Sequence, residues 1–370
     1  MKKKLINILL FPFLALNLFS AIGLMCCAYS PMLPAEHLPL LSLAGLAFPI
    51  ALGVNVVFLI LWLAVRPRYA MIPLIASILC LAQIRAYFPI NFSRQYRPEN
   101  SLKVMSYNIL SYNLTASNAN RKNATIQYLE AADADIICLQ EFHFSALKKQ
   151  KNLLKKYPYK SYLVSNFSEA TSSYLGCLSK YPILSVEKIK FDASYNGCCK
   201  YRILHENDTI VVYNCHLQSN KLQGEDQNAY EQILSNPKEN LRSKETKALI
   251  KKLRDAAAKR ACQADIIMAD LEKETSPYVI VCGDFNDSPI SYACNRLKKR
   301  LDDAYTNSGN GPGISYNSNK LYYRIDHILH SPRFKAYDCT VDRSTKESDH
   351  YPIYCFLKKD KGKKLEEGRK

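Results

Sequence analysis

Six short polar elements sit beside apolar runs in this chain: Ser106-Tyr107-Asn108, Leu139-Gln140-Glu141, Asn214-Cys215-His216-Leu217, Gly283-Asp284-Phe285-Asn286, Arg324-Ile325-Asp326-His327 and Ser348-Asp349-His350. Taken alone, an Asn or Asp at such a place is a turn former, and a single His is a satisfied polar residue. Their order changes the reading: an amide, a carboxylate, a histidine, a carboxylate with an amide, a carboxylate, then a carboxylate with a histidine. Oxygen donors from separate segments suit a hard cation such as Mg²⁺, which needs one or two carboxylates and keeps several waters. A carboxylate beside an amide can hold and deprotonate a water. A histidine held by a carboxylate keeps one tautomer and is stabilised as a cation. Those parts suit attack on an anionic ester such as a phosphodiester, where charge must be masked and a water placed in line. No Gly-x-Ser-x-Gly elbow, Walker glycine loop or zinc-type Cys/His spacing competes.

The elements need a scaffold. Runs that read as buried strands cover Leu102–Leu110, Ile136–Leu139, Thr209–Leu217, Tyr278–Cys282, Ile325–His330 and Ile353–Leu357. Helical spacing covers Asn123–Ala132 and Ser243–Lys273, the latter amphipathic through Ala248, Leu249, Leu253, Ala257, Ala261, Ala264, Ile267 and Leu271. Strands interleaved with helices predict an α/β domain with one large core. Leu222–Asn240 reads as a loop or lid, and no internal repeat is present.

Ahead of this domain the chain turns apolar. Lys2, Lys3 and Lys4 precede an uncharged run from Leu5 to Tyr29; a second covers Leu38–Val65, and a third runs from Tyr69 to Ile90 with Arg85 inside it. About 20 apolar residues cross a bilayer, so three membrane helices are expected at 5–29, 38–65 and 69–90. A linker at 91–101, a catalytic domain at 102–358 and a basic tail at 359–370 follow. A cleaved signal peptide is the competing reading of the first run, but its length and the two later runs stand against it. The basic Lys2–Lys4 end and the Arg66-Pro67-Arg68 turn belong in the cytoplasm, so three crossings place the large domain outside. Cysteine usage pulls the other way. Of 13 Cys, Cys138, Cys215, Cys282 and Cys355 fall in strand-like runs as small hydrophobes, and an oxidising compartment favours fewer or paired thiols.

Composition narrows the class. With 370 residues, 48% apolar content, 12 Gly and 17 Pro, the chain is neither disordered nor low-complexity. The net charge of +17 is concentrated partly at the two ends. It is compatible with any phosphate ester, but no basic-aromatic stripe marks a nucleic-acid surface. Tyr157, Tyr159, Tyr162 and Tyr174 serve core packing as readily as base stacking.

The six elements resemble the endonuclease/exonuclease/phosphatase superfamily of Mg²⁺-dependent phosphoesterases over about residues 101–358. Gly283-Asp284-Phe285-Asn286 and Ser348-Asp349-His350 carry the resemblance most strongly, Leu139-Gln140-Glu141 next, with Arg260, Gln263 and Ala264 resembling the helix before the Gly283 strand. The resemblance implies a four-layer α/β/β/α sandwich and Mg²⁺, or Mn²⁺, as cofactor. It implies metal ligation by Glu141 with Asn108 and Asp349, and a water held by Asp284 with Asn286. It also implies phosphate contact by His350, held by Asp326, and by His216 with Asn214 beside it. Leu110 departs from the acidic residue that abasic-site endonucleases carry there, and the role of His327 stays open. Nucleic acid and phospholipid or inositol phosphate remain alternative substrates beside the lipid bilayer, and no protein partner is implied. A catalytically inactive tethered binding module is the alternative function. Against it, Glu141, Asp284, Asn286, Asp349 and His350 are all present.

Overall fold

The computed structural model describes residues 2–33, 43–92, 96–110, 119–142, 154–164, 174–191, 196–220, 226, 228, 235–236, 243–318 and 321–360. The chain divides into two compact units. One is Met1–Phe88 with Leu222–Ala261 and Ile290–Tyr292; the other is Pro89–Lys221, Cys262–Pro289 and Ala293–Lys370.

In the first unit, α1 (Lys2–Tyr29) and α2 (Phe48–Val65) realise the first two apolar runs. With adjoining turns they supply two segments long and apolar enough to cross a membrane, Leu10–Met32 and Leu43–Val65. Phe11, Phe19, Ile50, Ile60 and Ile78 are exposed, an outer surface suited to hydrocarbon. Inside, the Asn55 amide donates to Pro73 O (2.9 Å) and Ser77 Oγ (3.0 Å), so this buried polar group is partnered. The third run departs from expectation. It is not one continuous helix over 69–90 but α3 (Met71–Leu79) and α4 (Leu81–Tyr87), and the pair Pro67–Leu79 and Leu81–Tyr87, a broken span or a re-entrant loop, is bent by 66°. The break falls at Cys80, after which Gln83 and Arg85 interrupt the apolar pattern. Residues 38–42 of the expected second span lie outside the described residues.

The second unit is built on two six-stranded sheets. Its strands are β1 (Leu102–Asn108), β2 (Ile136–Phe142), β3 (Tyr159–Val164), β4 (Tyr174–Ser179), β5 (Ile183–Ile189), β6 (Gly197–His205), β7 (Asp208–His216), β8 (Val279–Asp284) and β9 (Asp302–Asp303). The hairpin β10 (Tyr316–Ser318) and β11 (Leu321–Tyr323) stands apart, and β12 (Asp326–His330), β13 (Phe334–Val341) and β14 (Ile353–Lys359) complete the set. One sheet runs β13-β14-β1-β2-β4-β3, the other β5-β6-β7-β8-β12-β9. Among the described residues only β1–β2 and β7–β8 are parallel; α5 (Ala119–Ala132) links the first pair and α6 (Lys244–Leu271) falls between the second. Ser243 starts α6 as its cap, its Oγ accepting from Thr246 N at 3.1 Å.

Strand periodicity sorts the core into three layers. Val104, Ile136, Cys138, Ile210, Val212, Ile280, Cys282, Ile328, Ile353 and Cys355 belong to one cluster containing residues of both sheets. The alternate residues of the first sheet, Met105, Tyr107, Ile137 and Leu139, pack with Ile126 and Leu129 of α5. Those of the second, Val211, Tyr213, Val279 and Val281, pack with Ala264, Ile267 and Leu271 of α6. Cys138, Cys215, Cys282 and Cys355 are fully buried in these layers, as their strand setting predicts. Tyr157 is also core, its hydroxyl donating to Leu129 O at 3.2 Å. The expected loop or lid at 222–240 and the tail from 361 lie almost wholly outside the described residues. Lys359, at the tail's start, instead ends β14 and pairs with Asp208 at 2.8 Å.

One charged cluster buttresses α6 against the sheet. Glu274 takes Arg202 at 2.7 Å and Lys200 at 3.1 Å, and accepts the Thr275 and Ser276 amides at 3.0 Å. Burial opposes its ionisation, but the Ser276 amide and the two cations outweigh that and hold its carboxyl down to about 2. A carboxyl lowered from its unfolded value near 4.5 stabilises the fold above that value and loses the contribution as pH falls toward 2. Glu274→Gln is therefore expected to lower the urea midpoint at pH 7, with the gap to wild type narrowing below about pH 4.5 and closing only near pH 2. A gap that stays constant with pH would remove this assignment.

Candidate active site

The same two-residue period that builds the inter-sheet core carries the polar elements onto its open end. Asn108 shares a face with Val104, His216 and Asn214 with Val212, Asp284 with Cys282, and Asp326 with Ile328. Register finishes the alignment: Asp284 lies opposite His216 across the parallel β7–β8 pair and opposite Asp326 across the antiparallel β8–β12 pair.

Glu141 would point to the α5 side by strict alternation. It does not, because the β2–β4 register shifts between Leu139 and Phe142 and Glu141 takes φ +52°. A bulge of this kind re-aims one side chain, and Glu141 Oε1 accepts from Asn108 Nδ2 at 3.2 Å. Asn286 is a second left-handed residue, φ +52°. Its backbone N–H donates to Asp284 Oδ1 (2.8 Å) and its amide to Leu217 O (3.1 Å). Strain at two site residues is a local cost of about 1–3 kcal/mol each that surrounding contacts hold in place. Between them Gly283 adopts φ +141°.

Asp284 is the hub. Its Oδ2 accepts from Asn108 Nδ2 at 3.1 Å and lies 3.7 Å from both His216 Nε2 and His350 Nε2, with the side chain 1% exposed. His216 Nε2 also lies 3.8 Å from Glu141 Oε1, and its Nδ1 is buried without a hydrogen-bond partner among the described residues. His350 Nδ1 is 2.9 Å from Asp326 Oδ2. Burial would lower the His350 pKa, but Asp326 and Asp284 outweigh it and raise it to about 10, so the ring is an imidazolium at neutral pH. The Asp349 carboxyl also shifts upward: burial, with Glu141 and Asp284 close by, raises it above the usual range against the pull of His350.

That crowding bears on the expected metal. Glu141, Asp284 and Asp349 concentrate negative charge in one partly desolvated place, and an oxygen-only set beside Asn108 fits a hard divalent cation. Asp284, Asp326 and His350 also lie close enough together to chelate. However, His350 Nδ1 and Asp326 already satisfy each other, and a cation there would have to displace that bond.

Of the nine residues expected at the site, six converge by these contacts: Asn108, Glu141, His216, Asp284, Asp326 and His350; Asp349 feels the charges of Glu141, Asp284 and His350. Asn286 adjoins them through its backbone bond to Asp284. Asn214 lies one step deeper and is otherwise engaged. Its amide donates to Leu139 O (3.0 Å) and Gly176 O (2.9 Å) of the opposite sheet, and its Oδ1 accepts from Gln140 Nε2 (2.7 Å). His327, of opposite parity to Asp326, turns away to Asp287 O (3.0 Å) and Phe285; burial lowers its pKa to about 4 and leaves it neutral.

Three further residues support the site, of which only Ser348 belongs to one of the six sequence elements. Ser348 Oγ donates to Asn108 O (2.7 Å) and accepts from His350 N (3.1 Å). Ser315 Oγ accepts from the Ile325 and Asp326 amides at 3.1 Å. The Tyr316 ring meets the His350 ring edge-on at 5.1 Å. Ser348 at least adjoins the Asp349-His350 pair, which makes it findable; nothing in the sequence marks Ser315.

The structure is similar to D. rerio TDP2 complexed with single strand DNA product (TM-score 0.53, 17% identity, 70% of this chain and 100% of that one). It is also similar to the human Nocturnin catalytic domain with bound sulfate (0.53, 15%, 71% and 96%) and to sphingomyelinase C from Streptomyces griseocarneus (0.50, 20%, 69% and 99%). At these identities the likeness is one of fold. No curated protein sequence matches. A family described only as a domain of unknown function matches residues 6–87. The Endonuclease/Exonuclease/phosphatase family matches residues 105–350, from the first sheet strand to the last site histidine, and the chain belongs to that family.

Proposed function

We propose that this protein is a membrane-anchored, divalent-cation-dependent phosphoesterase that hydrolyses phosphate esters, phosphodiesters foremost, by attack of an activated water. The observation that carries the reading is the convergence on Asp284 of Asn108, His216 and His350. Glu141, with Asn108 and Asp349, would hold Mg²⁺ or Mn²⁺, which when bound polarises a phosphoryl oxygen and steadies the leaving oxygen. Asp284 Oδ2 receives the proton of the attacking water. The Asn286 N–H fixes the other carboxylate oxygen, so the base cannot rotate away. His350, cationic and locked by Asp326, presents Nε2–H to a phosphate oxygen, and His216 offers a second nitrogen beside it. Asn214 becomes a positioning residue: it ties the two sheets together directly beneath the site.

The neighbours whose fold this chain shares include one solved with a DNA product and one sphingomyelinase, so nucleic acid and lipid phosphodiester both remain within the reading. The bent third segment leaves two or three crossings. Three would place the catalytic unit opposite the Lys2–Lys4 end and two on the same side. A membrane-impermeant maleimide offered to exposed Cys262 in intact cells separates these.

The test of the activity uses the full chain in detergent micelles with bis-p-nitrophenyl phosphate. Removal of divalent ions by EDTA is expected to lower turnover about 100-fold or more, the several kcal/mol that metal charge stabilisation supplies. Mg²⁺ or Mn²⁺ should restore it. Turnover indifferent to EDTA would overturn the metal assignment.

A further inference from the structure

Next to the candidate site, but using none of its residues, lies a cleft of about 390 Å³ lined by Tyr305, Asn310, Gly313, Asp338, Thr340 and Arg343, among others. Its size is at the small end of ligand sites. One wall is the loop after α7 (Ala304–Ser308), and the chain's own linker holds that loop. Asn91 N–H donates to Asn310 Oδ1 (2.8 Å), Asn91 Nδ2 to Gly309 O (2.6 Å), and Gly311 N–H to Pro89 O (2.9 Å). The opposite wall is β13. The cleft is therefore preformed.

Its charge is one-sided. Asp338 is neutralised by Arg97 at 2.8 Å. The neighbouring Asp342 faces Tyr128, whose hydroxyl donates to it at 2.8 Å. Arg343 is exposed and makes no ion pair among the described residues; its guanidinium lies 5.9 Å from the Tyr351 ring centre. Around it the lining sets the hydroxyls of Tyr305, Ser308 and Thr340 and the Asn310 amide beside the apolar Pro312, Cys339 and Val341. The path to the chemistry is short. Tyr351 follows His350, its N–H donates to Ser315 O (2.7 Å), and Gly313 of the cleft is two residues from Ser315.

We propose that this cleft is a second anion subsite, in which Arg343 holds a phosphate carried by the part of the substrate beyond the scissile bond. The inference rests on the phosphoesterase reading and deepens it: the favoured substrate is a small hydroxyl-bearing headgroup with a second phosphate, whether lipid-attached or free. Guanidinium and phosphate pair through charge-assisted hydrogen bonds, and the hydroxyl and amide lining suits the polyol between the two phosphates.

The test compares Arg343→Ala and Arg343→Lys with wild type, full chain in detergent micelles. The lipid arm sets phosphatidylglycerophosphate against phosphatidylglycerol; the soluble arm sets their deacylated forms against each other. Arg343→Ala is expected to raise KM about 10- to 100-fold for the doubly phosphorylated member, the worth of a charged hydrogen bond, with Arg343→Lys partway. The singly phosphorylated member and bis-p-nitrophenyl phosphate should be unaffected. An effect in both arms marks headgroup recognition alone; an effect in the lipid arm only ties the subsite to the bilayer. Equal loss on every substrate, or none on any, overturns the proposal. Should bis-p-nitrophenyl phosphate not be turned over at all, the phosphoesterase reading fails by itself. Calorimetric binding of the deacylated, doubly phosphorylated compound to wild type and Arg343→Ala then decides the subsite separately.

Discussion

Asp284→Asn is expected to lower kcat on bis-p-nitrophenyl phosphate by about 10²–10⁴-fold, the range in which a positioned general base contributes. The substitution keeps shape and leaves Asn286 N–H an oxygen to bond, but the group can no longer take a proton. Stability should change much less. Asp284 is buried beside Asp349, whose own carboxyl is pushed up partly by that neighbour, and Glu141 adds to the same crowding. Removing one negative charge relieves its repulsion with Asp349 but gives up its attraction for the His350 imidazolium and the Asn108 hydrogen bond, so the two effects offset. The melting temperature of Asp284→Asn, measured without added metal, is expected to stay within a few degrees of that of wild type. A variant retaining activity within tenfold would show that Asp284 is not the base. One that melts well below wild type would show that its charge serves the fold.

How far the site is legible in the sequence depends on which physical rule places each residue. Asn108, His216, Asp284 and Asp326 obey strand alternation, so taking each as the inner-face end of an apolar run locates it from the amino-acid order alone. The same parity rule, applied to His327, answers what its motif leaves open: it must face α6's side, and it does. Glu141 breaks the rule. Its place depends on a bulge between β2 and β4 and a left-handed backbone, and only the family resemblance points to it. Asn214 looks like a partner of His216 because both share a face, yet depth along the strand decides. One layer inward, an amide meets carbonyls of the other sheet instead of substrate. Strands β3 to β6, β13 and the hairpin β10–β11 leave no clear pattern in the sequence. Edge strands such as Ile183–Ile189 mix exposed and half-buried positions, which blurs the apolar signal. In the first unit, two apolar runs form helices as expected. The third bends at Cys80, where no proline or glycine stands to announce it.

Gly283→Ala is expected to be the most damaging single-methyl change in the second unit. An added Cβ would stand 1.9 Å from Cys215 O and 2.7 Å from its carbonyl carbon. These are backbone atoms of the parallel neighbour β7, fixed by the register Cys215↔Gly283, so no rotamer change relieves the clash. Either β7 and β8 separate, breaking the ladder that aligns His216 with Asp284, or Gly283 leaves φ +141° and swings Asp284 from its place. A cost above about 4 kcal/mol is expected, the range reserved for such defects, against a total of about 5–15 kcal/mol for a domain. Gly311→Ala is the control, since Gly311 also has a positive φ, +71°, but an added Cβ meets nothing within 4 Å. It should cost only backbone strain, about 1 kcal/mol, and leave activity intact. Urea unfolding followed by tyrosine fluorescence, with turnover measured on the same samples, compares the two. If both lose similar stability, positive φ alone explains Gly283 and the close approach of β7 is not what demands a glycine there. If Gly283→Ala alone collapses and takes activity with it, the contact between the two parallel strands is what holds Asp284 and His216 in mutual reach.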